Sequence, residues 1–173
     1  MALTRSRTLV RDLMQVGVAT CSPDTPIADI SRIMSEKKLE AVIVIDSDEG
    51  HALGVVSQEE LVQAFAKYGT KTVSAVEVMK EGIPQIPPDI PLEVAVQTMR
   101  DLNVRTLFLM HHAGGIVYPA AYISYAHILR YLAAQNEEDL SGLGVEAERK
   151  NPLDAFFEKR DAARAKVQSK RRE

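Results

Sequence analysis

A serine and a glutamate near the middle of the chain have the types and spacing of a small polar binding site. Ser57 is followed three residues later by Glu60, and the apolar pattern after them predicts that both stand at the start of a helix. A carboxylate in the first helical turn can accept hydrogen bonds from both hydroxyls of a sugar diol, and the helix N-terminus favours its charge. The same spacing is the capping box, in which the two side chains satisfy the helix's own N–H groups. The pair therefore predicts either a diol site or plain helix capping.

A second cluster, later in the chain, combines a histidine with arginines. Ser124 is followed three residues later by His127, Arg130 lies one turn further on the same helix face, and Arg105 lies at the edge of a predicted strand. A neutral imidazole can accept one hydroxyl and a protonated one attracts phosphate, while the planar arginine fork binds phosphate through two hydrogen bonds. The alternatives are a solvated histidine at a helix start and ordinary surface arginines.

The other reactive side chains form no catalytic set. His111 and His112 are adjacent rather than four residues apart, and the extended turn that we predict over 110–116 offers no acidic or cysteine partner at ligand spacing. Cys21 ends a predicted strand and has no histidine or asparagine context that would activate its thiol. We therefore expect no enzyme activity, no catalytic residues and no bound metal.

The composition is that of an ordinary globular protein. The chain has 173 residues, of which 46% are hydrophobic and 26% charged, enough for one compact domain or two small subdomains that share a core. A net charge of −3 creates no field that recruits nucleic acid, and a single cysteine fits a reducing compartment. No apolar run approaches the roughly 20 residues that span a bilayer. We therefore expect a cytoplasmic protein that binds neither nucleic acid nor membrane.

The sequence repeats itself at a constant offset. The matched pairs, each 65 residues apart, are Pro23 with Pro88, Pro26 with Pro91, Met14 with Met79, and Met34 with Met99. Further on, Ser57 matches Ser124 at an offset of 67, so the second copy carries two extra residues between 111 and 117. A register that is held over both copies indicates an internal duplication.

Each copy has the same predicted order of elements, β-α-β-β-α. Apolar, β-branched runs indicate the strands, and apolar residues at helical spacing indicate the helices. The first copy has predicted strands over 16–21, 41–45 and 53–57, a helix capped by Asp24 or Thr25, and a helix over 58–68 with Leu61, Val62 and Phe65 facing inward. The second copy begins with a short helix over 74–79, followed by predicted strands over 83–86, 106–110 and 117–123 and helices over 92–102 and 125–134. Neither half is large enough to bury much core alone, so the halves must pack together.

This pattern resembles the CBS domain, named after cystathionine β-synthase and usually found in tandem pairs called Bateman modules. The residues that carry the resemblance are Val10-Arg11-Asp12-Leu13-Met14, Pro23-Asp24-Thr25-Pro26, Met34, 42–46 and 53–61. The resemblance implies an α/β (α+β) fold of two repeats packed as a pseudo-two-fold pair, with two clefts between them. We assign the first repeat to 1–70, the second repeat to 71–135, and a linker with a charged C-terminal helix to 136–173.

The resemblance also implies an adenosyl ligand, namely AMP, ADP, ATP or S-adenosylmethionine, and no required cofactor. In the family's nucleotide motif an aspartate holds the ribose hydroxyls, whereas this sequence has Glu60 and His127 in the two aspartate positions. A proline common in the middle strand is replaced by Ile43 and Phe108. The positions that resemble the adenine edge are Val18, Ala19, Ile83 and Pro84, and those that resemble the apolar wall are Leu39, Ala41, Val104 and Thr106. All eight are also typical of ordinary core.

Positive charge decides which cleft we expect to be occupied. Arg105, His127 and Arg130 belong to the second copy, whereas Glu40 matches Arg105 in the first copy and has the wrong charge for phosphate. In such pairs each cleft draws on both copies, so Glu60 and the arginines either combine or lie in opposite clefts. Because bidentate charged contacts are stronger than a neutral hydroxyl bond, we expect the ligand beside Ser124 and His127, with adenine against Val18, Ala19 or their counterparts.

Two functions are compatible with these features. The first is a stand-alone regulatory module, in which an adenine nucleotide changes the shape of a homodimer and an unknown effector protein responds. The second is a dimerisation or adaptor protein whose CBS pair has lost its ligand. In both, apolar helix faces that include Ile33, Leu129 and Leu132 form the homodimer. A tail helix over 151–173 would dock on the partner subunit or on the effector.

Overall fold

Two copies of one α/β unit make up the described part of the chain. In the computed structural model the described residues are 8–46, 50–69, 72–113 and 116–134, together with 139, 142 and 143. The tail helix expected over 151–173 lies outside them, as do 70–71 at the expected junction and most of the linker. The order of the elements confirms the mixed α/β class and the tandem repeat.

The elements follow the duplicated order. The first copy contains α1 (Val10–Leu13), β1 (Gln15–Val16), β2 (Thr20–Cys21), α2 (Ile27–Lys37), β3 (Ala41–Ile45), β4 (Ala52–Ser57) and α3 (Gln58–Tyr68). The second copy contains α4 (Ala75–Val78), β5 (Lys80–Glu81), α5 (Leu92–Asp101), β6 (Thr106–Ala113), β7 (Ile116–Ser124) and α6 (Tyr125–Ala133). The bounds of β3 and α3 are those predicted, because both segments have strong apolar patterns.

The two sheets exchange their short first strands. One sheet has the order β2-β3-β4-β5 and the other the order β1-β7-β6. Strand β1 therefore pairs with β7 of the second copy, and β5 of the second copy pairs with β4 of the first. Each sheet is completed by a strand from the other half of the chain.

The lead-in helices α1 and α4 are exchanged in the same way. The N–H of Val10 donates to the carbonyl of Ile90 at 3.0 Å, and the N–H of Ala75 donates to the carbonyl of Thr25 at 2.8 Å. Val10 and Leu13 are buried in the core of the second copy, while Ala75 is buried in the core of the first. Each copy therefore supplies apolar side chains that the other copy needs to close its core.

A third cluster of buried side chains joins the two sheets. It contains Ala41, Ile43, Val55 and Phe108, so the residues in the family's proline positions, Ile43 and Phe108, meet at this interface. Met34 and Met99 are both buried and take equivalent places in the cores of the first and second copies. This equivalence confirms the predicted pairing of the two repeats.

The predicted strand over 16–21 is wrong, because the chain turns in its middle. Gly17 has a φ of +88°, a conformation that favours glycine, and it separates β1 in one sheet from β2 in the other. The strand predicted over 83–86 is reduced to one bridge between Gln85 and Phe108. A sequence pattern cannot show that consecutive residues belong to different sheets.

Three local predictions also need correction. Val62 and Phe65 are exposed by 68% and 66% instead of facing inward, and Ala64 takes the buried position on α3. Helix α2 has Pro26 as its N-cap and no side-chain cap, because the N–H of Ile27 donates to the carbonyl of Val73 in the other copy's lead-in segment. His111 and His112 belong to strand β6 and pair with β7, so the turn predicted over 110–116 is wrong at these two residues.

Candidate functional site

A cleft of about 1180 Å³ opens between the two copies. Its first wall comes from the ends of β3 and β4 and the start of α3, and its second wall from the end of α5, the start of β6 and the segment after β5. The cleft is lined by these residues singled out in the sequence: Ala41, Ser57, Glu60, Ile83, Pro84, Val104, Arg105 and Thr106. Glu60, the predicted acceptor for ribose hydroxyls, and the cation Arg105 therefore line one cleft. The sequence left open whether they combine or lie in opposite clefts.

Glu60 is both a helix-capping residue and a wall of the cleft. Its side chain is only 5% exposed, and its Oε2 accepts hydrogen bonds from the Ser57 N–H, at 2.9 Å, and from the Ser57 hydroxyl. Its Oε1 contacts the Nζ of Lys80 at 3.0 Å. Burial opposes ionisation, but the hydrogen bonds from Ser57 and the ammonium of Lys80 outweigh it, so the pKa of Glu60 lies below its usual value. Glu60 is therefore a carboxylate at neutral pH, and its buried Oε1 lies against the ammonium of Lys80.

Lys80 is a residue of this cleft that sequence reasoning missed. It lies on β5, in the second copy, and reaches Glu60 of the first copy because β5 pairs with β4. The hydrogen bond to Glu60 raises the pKa of Lys80 despite some desolvation. The place of Lys80 in the cleft depends on the exchange of short strands between the two sheets. The repeat offset in the sequence does not reveal this exchange.

Two further polar atoms in the cleft lack partners among the described residues. Thr106 is 5% exposed and its Oγ1 has no hydrogen-bond partner there, and the same holds for the buried Oε2 of Glu40. Both residues line the cleft. A buried polar group without a hydrogen bond costs about 1–3 kcal/mol, so the folded chain carries this cost at the cleft wall.

Two arginines stand on the α5–β6 side of the cleft. Arg100 and Arg105 are exposed, and neither side chain forms a hydrogen bond or an ion pair with any other described residue. Their guanidinium groups are therefore available to an anion. Arg130, by contrast, lies on α6 outside this cleft, and its Nε donates to the carbonyl of Ala126 at 3.3 Å.

The environment of His127 does not support the phosphate role predicted for it. The Ser124 N–H donates to His127 Nδ1 at 3.0 Å, so the histidine caps its own helix as Glu60 does in the first copy. The side chain is 7% exposed, and burial, with a smaller effect of the charge on Arg130, lowers the pKa of His127 to about 4. His127 is consequently neutral at physiological pH and offers no positive charge.

Tyr122 packs against His127 in the second copy. Its place in β7 matches that of Val55 in β4, which lines the open cleft. The Tyr122 ring lies edge-on against the His127 ring, with centroids 5.3 Å apart. The predicted site residues on this side are packed into the protein: Val18 lies against the cluster between the sheets, while Ala19 and Leu39 belong to the core of the first copy. Of the two residues that the sequence placed in one site, Arg105 lines the open cleft and His127 is not among the residues that line it.

The described residues contain no group of three or more histidine, cysteine, aspartate or glutamate side chains that could hold a metal ion. Among the same residues no helix is long and apolar enough to cross a membrane.

The fold and the inter-repeat cleft define a tandem pair of CBS-type repeats. The chain belongs to the CBS domain family, whose model matches residues 10–67 and 73–134. The two matched segments correspond to the two copies described above, including their exchanged lead-in helices.

Solved structures share this fold. The CBS-domain protein ATU1752 from Agrobacterium tumefaciens is 23% identical with a TM-score of 0.63, and the match covers 75% of this chain and 96% of that one. The CBS domain pair of protein MJ0100, in complex with 5′-methylthioadenosine and S-adenosyl-L-methionine, is 17% identical with a TM-score of 0.61, covering 72% and 99%. A hexameric CBS-CP12 protein from bloom-forming cyanobacteria is 21% identical with a TM-score of 0.61, covering 96% and 91%.

A curated relative is much longer than the matched region. A homoserine O-acetyltransferase from Methanohalobium evestigatum is 26% identical over 102 residues, which are 59% of this chain and 20% of that protein. This chain therefore spans about a fifth of the length of that relative.

Proposed function

We propose that this CBS pair is a regulatory module that binds one adenosyl ligand in the cleft lined by Glu60 and Arg105. The observation that carries the proposal is the meeting, in one open cleft, of a buried carboxylate and an arginine that has no ion-pair partner within the described residues. Ligand pockets combine an apolar lining with a few convergent polar groups, and this cleft has both.

The lining suggests how such a ligand would lie. Ile83, Pro84 and Val104 offer apolar surface for a base. Lys80, which is exposed and held in place by its ion pair with Glu60, would donate to a ribose hydroxyl oxygen. Arg105 would bind a phosphate or carboxylate at the other end of the ligand. The CBS domain pair of MJ0100, which shares this fold, is in complex with two adenosyl compounds and supports this class of ligand.

Binding of phosphate should depend on Arg105 and not on Arg130. We expect Arg105→Ala to weaken AMP binding about 20-fold, a loss typical of a charge-assisted contact, and to change adenosine binding much less. Arg130→Ala is the matched control, because Arg130 lies outside the cleft, and it should leave both affinities unchanged. Isothermal titration calorimetry would measure all three proteins. Weaker binding in Arg130→Ala with an unaffected Arg105→Ala would place the ligand on the His127 side.

A ligand-free adaptor is the alternative function, and the packing of Tyr122 against His127 supports it for one side of the pair. Titration of the wild-type protein with AMP, ADP, ATP, S-adenosylmethionine and 5′-methylthioadenosine separates the two functions. A regulatory module should bind at least one of them with a stoichiometry of one per chain. Absence of binding to all five would leave the adaptor as the function.

We propose further that the protein is a homodimer formed by α3 and α6. Val62 and Phe65 on α3 match Leu129 and Leu132 on α6 at the offset of 67, and the two leucines are 65% and 62% exposed. The duplication thus presents the same apolar stripe twice, and exposed apolar patches of this kind mark association surfaces. Ile33, which we also expected at the interface, is half-buried against the core of the first copy.

Charges on this stripe should separate the subunits. We expect Phe65→Glu combined with Leu132→Glu to halve the molecular mass measured by light scattering, because unpaired charges in an apolar interface are costly. Val16→Glu is the control, since Val16 is an exposed apolar residue on β1 and not on either helix. A dimer that survives the double substitution would show that the subunits associate through another surface.

A further inference from the structure

The β6–β7 hairpin is longer than its duplicate in the first copy. Strand β6 (Thr106–Ala113) has eight residues, whereas its duplicate β3 (Ala41–Ile45) has five. His111 and His112 are exposed and lie in the part of β6 that has no counterpart in β3. Leu109 is the last residue of β6 that belongs to the core of the second copy. The extension is therefore not needed to close that core.

One edge of this extension borders an open space. The segment before α5 covers β6 only as far as Phe108, whose N–H donates to the carbonyl of Pro84 at 2.8 Å and whose carbonyl accepts from the Ile86 N–H at 2.9 Å. The two residues that follow Ile86 are prolines, which have no N–H with which to continue this pairing. A groove of about 530 Å³ is lined by residues 85–88 and by residues 109–111 of β6.

The main-chain groups of Met110 and His112 face this open edge. In an antiparallel pair, alternate residues direct their N–H and C=O groups away from the partner strand. Phe108 directs its groups away from β7, and β6 keeps its alternation because the extra residue at the register shift is Ala120 of β7. Met110 and His112 therefore direct their groups the same way. No main-chain hydrogen bond joins either of them to a described residue outside the hairpin.

The two edges of the hairpin differ in their protection against pairing. Prolines, lysines and covering segments protect the edges of natural sheets from other chains. On the β7 edge, the Gly17 N–H donates to the carbonyl of Ala120 at 2.8 Å, and the neighbouring Pro119 has no N–H to offer. Strand β6 contains neither a lysine nor a proline from Met110 to Ala113. The β6 edge is therefore open to another strand.

We propose that two molecules of this protein associate by antiparallel pairing of their β6 edges, with the two-fold axis at His111. Met110 and His112 lie symmetrically about His111, so a second molecule sets Met110 opposite His112 twice and matches each N–H with a carbonyl. The contact uses a different surface from α3 and α6. Because it consists of four main-chain hydrogen bonds, it is weak and forms at high protein concentration.

Disulfide cross-linking tests the contact and its register. His111→Cys sets two thiols opposite each other in a non-hydrogen-bonded pair, with Cα atoms about 4.5 Å apart, a separation that a disulfide spans. His112→Cys is the matched control, because this residue is also exposed but would lie about 8 Å from its counterpart. With oxidised glutathione, we expect at least about tenfold more disulfide-linked dimer for His111→Cys than for His112→Cys. The wild type shows what Cys21 alone contributes.

Two further variants separate the main chain from the side chain at His112. In the His111→Cys protein, His112→Pro removes an N–H that faces the edge and should reduce the cross-linked fraction about tenfold. His112→Ala keeps that N–H and should leave the fraction unchanged. The melting temperatures of both proteins show that the proline variant is folded.

The outcomes separate this contact from the proposed homodimer. Adding Phe65→Glu and Leu132→Glu should leave the cross-link in place, because neither residue lies on β6. The edge pairing would be overturned by equal cross-linking at positions 111 and 112, by none at position 111, or by a cross-link that survives His112→Pro. None of these results would alter the case for the α3–α6 interface.

Discussion

Gly54→Ala is expected to lower the free energy of unfolding by about 3 kcal/mol. A Cβ atom at position 54 would collide with the main-chain carbonyl oxygen of Lys80 and would lie 3.0 Å from the sulfur of Met79. Gly54 and Glu81 are paired across β4 and β5, so the backbone of β5 cannot move away without breaking this pairing. Urea-induced unfolding of the two proteins would measure the difference.

The duplicate position provides the control for this substitution. Ala121 matches Gly54 in the second copy, and it carries a Cβ while paired with Val16 of β1. Ala121→Gly should therefore cost only about 1 kcal/mol, from backbone entropy and a small loss of packing. If Gly54→Ala were as stable as the wild type, β5 would have to shift freely, and the contact between Lys80 and Glu60 would not be fixed by the sheet.

Acidification from pH 7 to pH 4 should cost about 3 kcal/mol of stability through His127 alone. The pKa of His127 is about 4 in the folded protein, below the value of about 6.5 in an unfolded chain. Between these two values the unfolded chain binds a proton that the folded protein does not, so the contribution is fully present above pH 6.5 and is lost as the pH falls toward 4. The difference between the two pKa values corresponds to this energy at about 1.36 kcal/mol per pH unit.

His127→Gln isolates the histidine from the carboxylates that titrate over the same range. A glutamine keeps an acceptor for the Ser124 N–H, as in the generic capping box, and it does not titrate. The free energy of unfolding of this variant should depend less steeply on pH between 6.5 and 4, while both proteins share the titration of their acidic groups. Parallel curves for the two proteins would show that His127 is protonated in the folded state without cost.

Local sequence patterns were sufficient to predict most of the elements. Helix α3 and strand β3 have the predicted bounds, because eleven residues of helical periodicity and five continuous apolar residues admit few other structures. Ser57 and Glu60 were predicted as a capping box or a ligand site, and the structure contains the capping box at the wall of an open cleft. Apolar spacing placed Val62 and Phe65 on one face of α3, but that face is exposed instead of packing inward.

The features that the sequence did not reveal depend on contacts between distant segments. Lys80 reaches Glu60 only because two short strands change sheets, and a strand of two residues has no periodicity to detect. Arg105 lines the open cleft whereas His127 packs against Tyr122, a difference that depends on the neighbours each side chain meets in the fold. The unpartnered atoms of Glu40 and Thr106 become visible only when all neighbours are in place.

The exchange of lead-in segments has a consequence for the unfolding of the chain. A single copy released from this arrangement would lack α1 or α4, together with one strand of its sheet, so it would expose the apolar side chains that those segments now cover. The two halves are interlocked, and loss of either one by deletion would unfold the other. We therefore expect the two copies to melt in a single cooperative transition.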